Sequence, residues 1–169
     1  MNHLKYSPAK AAALREHLLK AQVEPVVLDH FQRHPHLRSA ALLVAQYWND
    51  EADDAVHHRL LFSELETPDT DAAFRDQEND GVNFATPPGE ERWEAEAQRY
   101  VFSWPDNREA IPLFAAFTRE DCHQDMTPLE SFTPYAIFRR TGTGLAIEVV
   151  GQMLRPWLDG VRPSWEQDV

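Results

Sequence analysis

The stretch YAIFRRTGTGLAIEVV, Tyr135 to Val150, constrains the fold more than any other part of the chain. Apolar and polar residues alternate on either side of two closely spaced glycines, Gly142 and Gly144, which is the pattern of a β-hairpin. A four-residue turn sets the register: Phe138 faces Ile147 and Ala136 faces Val149 on one side. On the other side Arg139 and Glu148 stand diagonally as an exposed ion pair. RYVFSW supplies another strand pattern, with Tyr100, Phe102 and Trp104 on one face. PDN then turns the chain. AIPLFAAF reads as a strand with Ile111, Leu113 and Phe117 aligned, and Pro112 requires that it lie at an edge or begin there. TPLE, from Thr127 to Glu130, is a capping box that starts a short helical turn. Met153, Leu154, Trp157 and Leu158 recur at helical spacing, interrupted by Pro156.

The first third reads differently. Ser7 is a natural helix cap and Pro8 suits the first helical position. Ala11, Leu14, Leu18 and Ala21 then fall on one face. A second helix is expected after Pro25, with Val27, Leu28 and Phe31 as its stripe, ending at His34-Pro35. From Leu37 to Leu60 apolar residues recur at three- and four-residue steps, which favours helix there too, with AALLVAQYW as a buried strand the rival reading. The expected fold is therefore α+β: N-terminal helices packed on a mostly antiparallel C-terminal sheet, in one domain of 169 residues. Its helical part runs over about 7–64, an acidic loop over about 66–90, and a strand-rich part over about 98–160.

The charge distribution bears on function. The chain carries a net −12. Between Asn49 and Glu96 there are 15 acids and 3 bases, while the remainder holds 13 of each. All of the net charge therefore sits in 48 consecutive residues. Such a surface repels nucleic acid, whose binding requires neutralising phosphates, and disfavours anionic membranes. It attracts a basic protein or cations. The N-terminus lacks a signal-peptide core, and AALLVA is too short to span a bilayer, so a cytoplasmic protein is expected. The single cysteine excludes an internal disulfide. Thirteen arginines against three lysines fit a bacterial origin.

Four groups of residues suggest chemistry or recognition. DQENDGVNF, Asp76 to Phe84, places Asp76, Glu78, Asp80 and Gly81 as in the first half of an EF-hand calcium loop. The position that must supply a bidentate Glu is Pro87, so tight calcium binding is not expected. On a helix, Asp53 with His57 and Asp54 with His58 stack one turn apart, with Asp50 also on that face. A metal site at Asp54, His57 and His58, completed by His34 and His36, follows as an alternative reading. Cys122 and His123 are adjacent, and neighbours on a chain point apart, so they make a poor nucleophile–base pair. Trp93 stands among Glu90, Glu91, Glu94 and Glu96, where it either caps the core from a short helix or anchors a partner. No phosphate-binding glycine loop, nucleophile elbow or paired-cysteine motif is present, and no cofactor is implied. The leading expectation is a non-enzymatic module that engages a basic protein partner through its acidic segment, as an immunity or escort protein does. The alternatives are a metal-dependent enzyme and a scaffold subunit.

Overall fold

In the computed structural model the described residues are 5–46, 56–71, 91–94, 99–102, 111–119 and 131–161. Helix α1 (Pro8–Leu18) runs through one π-helical turn (Leu19–Val23) into α2 (Glu24–Arg33). Ser7 caps it as expected, its hydroxyl accepting the Lys10 amide at 3.3 Å, with Pro8 at the start. The π-turn has a local cause in Pro25. Proline lacks the N–H that would bond Ala21, and its ring crowds that carbonyl. Widening the turn, with the Glu24 amide donating to Leu19, admits the proline without breaking the helix. The wider turn also rotates the buried stripe. Leu18, Leu19, Val23, Val27 and Phe31 point into the core, whereas Ala21 is exposed. The C-terminal carbonyls of Phe31 and His34 are capped from across the fold by Arg140.

Four strands form an antiparallel sheet in the order β2-β1-β5-β6: β1 (Ser39–Gln46), β2 (Val56–Ser63), β5 (Thr133–Arg140) and β6 (Leu145–Val149). A separate two-stranded pair joins β3 (Glu91–Glu94) and β4 (Arg99–Phe102). The fold is α+β, with the helix covering one face of the sheet. The expected hairpin forms in the expected register, Ala136 opposite Val149 and Phe138 opposite Ile147. Arg139 and Glu148 make their ion pair at 2.5 Å.

Two expectations are corrected. The helical part ends at Arg33, not near residue 64, because 39–46 and 56–63 are paired strands. In β1 every residue from Ser39 to Ala45 is buried. A strand covered on both faces is apolar without alternation, and such a run also satisfies a helical period. Ala40, Leu42 and Val44 face the helix, while Ala41, Leu43 and Ala45 join Leu61, Phe132 and Ile137 in a second cluster on the opposite face. The second correction is Ile111–Phe117, a 3-10 helix rather than an edge strand. Leu113 to Phe117 are all buried, so the segment has no polar face to present, and Pro112 suits a helical turn. The Thr127–Glu130 capping box and Trp104 lie outside the described residues. Around Pro156 the chain makes only a short 3-10 turn, Pro156–Leu158, leaving Met153, Leu154 and Trp157 exposed.

The register between β1 and β5 slips by one residue: Leu42 pairs with Ala136, and Leu43 with Pro134. Tyr135 is the extra residue. The bulge puts Tyr135 and Ala136 into the same helix-side cluster, where strict alternation would have separated them. The Tyr135 carbonyl still accepts two amides, from Val150 and Gly151, both at 2.9 Å.

The two ends of the described chain meet where the Tyr6 amide donates to the Gly160 carbonyl at 2.7 Å. Gly160 has φ +77°, and a Cβ there would lie 2.5 Å from the Tyr6 carbonyl oxygen. Gly160→Ala is expected to cost roughly 2–4 kcal/mol, combining left-handed strain with the clash. Gly144→Ala, at a turn with nothing within 4 Å of the new methyl, is expected to stay within about 0.5 kcal/mol. Urea midpoints of the two variants make the comparison.

Candidate functional site

The acidic segment is described in two pieces. Directly after β2 the chain turns outward, and Glu64, Leu65, Glu66, Asp69 and Asp71 are exposed. Leu65, at 57% exposure, is a large apolar side chain flanked by two carboxylates. Its backbone is pinned at both ends. The Ser39 hydroxyl donates to the Leu65 carbonyl at 2.5 Å, and the Leu65 amide donates to the Ser63 hydroxyl at 3.1 Å. Arg38 approaches Glu66 at 3.4 Å and His36 approaches Glu64 at 3.9 Å, in solvent where such pairs contribute little.

The second piece is β3. Glu91, Trp93 and Glu94 belong to a strand, not to a short helix, and the register sets Trp93 opposite Tyr100 and Glu94 opposite Arg99. Glu90 and Glu96 lie outside the described residues, as do Asp76–Phe84, Cys122 and His123.

The proposed metal ligands lose their geometric premise. His57 and His58 are consecutive positions of β2, opposite Ala45 and Val44, and not members of a helical face. His58 shares the helix-covered side with Val56, Leu60 and Phe62. Asp50, Asp53 and Asp54 lie outside the described residues. The other two histidines are at the far end of β2. His34 stacks on His30 with ring centroids 4.4 Å apart and meets His36 at 5.9 Å, while His30 packs against Phe62 at 4.0 Å. Phe62 is four residues from His58, about 13 Å along a strand. Among the described residues no group of three or more His, Cys, Asp or Glu side chains is arranged to hold a metal ion.

Sequence reasoning missed a second constellation, centred on Arg15. Its side chain is only 5% exposed. Nη1 donates to the Leu113 carbonyl at 3.0 Å and to the Asp159 carboxylate at 2.8 Å, and the guanidinium lies 4.9 Å from the Phe117 ring centre. Tyr135 stands against Phe114 and Phe117 in edge-on contacts. Burial raises the Tyr135 pKa, opposed by Arg15, so its hydroxyl stays protonated. Arg15, Phe117 and Tyr135 border a cavity of about 450 Å³ between α1, the π-turn and the β5–β6 hairpin. Ala12, Leu19, Phe117, Tyr135, Ile147 and Val149 supply its apolar walls, and Arg15, Glu16 and Lys20 its charged side. One signal was present in the sequence: Arg15 is a cation four residues after Ala11 and three before Leu18, inside an otherwise apolar stripe.

No protein-family model, curated protein or solved structure matches this chain.

Two expected outcomes follow from these clusters. Breaking a buried ion pair leaves an uncompensated charge, so Asp159→Ala is expected to lose about 3–5 kcal/mol, and Asp159→Asn, which keeps an acceptor, less. Chemical denaturation checks both. His30 is held below the ordinary histidine pKa, first by burial and then by His34 and Arg33. The unfolded chain therefore takes up the proton at higher pH than the native one. Stability from neutral His30 is full above about pH 6.5 and falls as pH drops from there toward the depressed native value. His30→Phe, which keeps a ring against Phe62, is expected to flatten that decline in thermal melts between pH 7.5 and 5.

Proposed function

We propose that the protein is a non-enzymatic binding module whose acidic segment docks a basic protein partner, in the manner of an immunity or escort protein. The observation that carries this reading is the confinement of the whole net charge of −12 to residues 49–96, together with an exposed leucine, Leu65, held rigidly among its carboxylates. Like charges gathered on one stretch repel each other and destabilise the compact state, so uniform solubilising charge would be spread more evenly. An apolar anchor inside a charged rim is the arrangement that gives a protein interface both affinity and orientation. Serine hydroxyls fix the Leu65 backbone in advance, which reduces the ordering cost on association. A partner rich in Lys or Arg would displace Arg38 and His36 from Glu66 and Glu64, at small cost because those pairs are solvated. The same charge disfavours nucleic acid and anionic membranes as partners, and no helix among the described residues is long and apolar enough to cross a membrane.

The test is association kinetics with a basic partner recovered by affinity capture. Steering by charge predicts an on-rate that falls steeply as the Debye length shrinks from about 10 Å at 0.1 M salt to about 3 Å at 1 M. Neutralising Glu64, Glu66, Asp69 and Asp71 to their amides is expected to slow association, as is the same change at Glu90, Glu91, Glu94 and Glu96. Leu65→Ala and Trp93→Ala are expected to act on dissociation instead. On-rates in low salt unchanged in both amide variants would reject the reading, and the acid would then serve solvation alone.

A further inference from the structure

We propose that the cavity between α1 and the β5–β6 hairpin is a binding site for an amphipathic monocarboxylate, a small molecule with an aliphatic body and one carboxylate head. At about 450 Å³ it falls within the roughly 300–1,000 Å³ of small-molecule pockets. Its walls divide by chemistry. Leu19, Ile147 and Val149 offer aliphatic surface, and Val149 is 55% exposed although it stands on the hairpin face that turns toward the helix. A large apolar side chain left open beside a concavity gains by being covered.

The polar side is dominated by donors. Arginine carries five N–H groups and no acceptor. Arg15 commits Nη1 to Leu113 and Asp159, and its guanidinium also hydrogen-bonds the Tyr135 hydroxyl, both groups lining the cavity. Lys20 brings a second cation, and the protonated Tyr135 hydroxyl a further donor. The acceptors are already engaged: Asp159 by Arg15 at 2.8 Å, and Glu16 by Lys20 at 2.7 Å. A cationic ligand would therefore have to break an existing ion pair, whereas a carboxylate can accept from the N–H groups that Lys20 does not spend on Glu16 and from the protonated Tyr135 hydroxyl. Both cations are already partly neutralised by a carboxylate. The two cations and their two carboxylates sum to zero, so a monoanion adds less uncompensated charge to the site than a phosphate dianion does. The low-dielectric wall strengthens that contact relative to water. This site is independent of the acidic surface proposed above.

Calorimetry of the full chain with decanoate, decanol and decyltrimethylammonium at pH 7.5 provides the test, with methyl NMR to locate the ligand. Saturable one-to-one binding of decanoate is expected, with shifts at Ala12, Leu19, Ile147 and Val149, and affinity at least ten-fold lower for decanol and for the cation. Lys20→Gln, at an exposed position, is expected to weaken decanoate several-fold without affecting the fold. Val149→Trp, also on an exposed side chain, is expected to fill the cavity and abolish binding. Absence of saturable decanoate binding overturns the proposal. So do equal affinities for the three probes, shifts confined to methyls elsewhere, or undiminished binding by folded Val149→Trp protein.

Discussion

A guanidinium cannot give up its charge, and one that is buried must find its partners inside the protein. Arg15 meets this constraint by drawing together segments distant in sequence: helix α1, the Leu113 carbonyl of the 3-10 helix, and Asp159 near the end of the described chain. Arg155 does the same from the other side. Its backbone amide donates to Ala116 at 2.9 Å, and its side chain to Thr118 and Gln46. The poorly aligned hydrogen bonds of a 3-10 helix usually keep it to a few residues, and this one runs to seven. Here the carbonyls of Leu113, Ala115, Ala116 and Phe117 accept donors from Arg15, Arg155, Thr118 and Thr133. These outside donors give an apolar segment a conformation that its own backbone supports weakly.

The bulge at Tyr135 belongs to the same assembly. Pro134 lacks the amide a regular ladder requires, and slipping the register there turns Tyr135 toward the helix, between Phe114 and Phe117. Gly151 follows from that placement, since a Cβ would come within 2.7 Å of the Tyr135 ring. The cavity is what remains between the tyrosine, the arginine and a hairpin that the helix covers incompletely.

The described core and the acidic segment share β2 and otherwise draw on different stretches of the chain. The described core is built from residues 11–45, 56–62, 113–117 and 132–138, while the acidic excess extends from the β2 region through the β3 strand. The described acids Glu64, Glu66, Asp69 and Asp71 are exposed, away from the core, and the segments flanking 49–96 are balanced in charge.

Local patterns were legible in the residues. The Tyr135–Val150 hairpin, its pairing register and its Arg139–Glu148 ion pair follow from alternation and two glycines, and the start of α1 follows from Ser7 and Pro8, because each depends on neighbours a few residues away. The α+β class followed from the same evidence. At the candidate site, the acidic character of the segment was readable, since composition needs no fold. The strand state of Ser39–Gln46 was not, because an element apolar on both faces carries no periodicity of its own. It is a strand because β2 and β5 pair with its two edges. That decision also removed the helical stacking of His57 and His58. The 3-10 state of Ile111–Phe117, the inward turn of Tyr135 and the burial of Arg15 belong to tertiary structure for a common reason. Each is settled by donors and acceptors tens of residues away, up to the 144 that separate Arg15 from Asp159, and such partners exist only once the chain has folded. Sequence by itself determined the elements whose hydrogen bonds close locally and the place of the charge. Only the fold decided the elements and sites whose bonds close at long range.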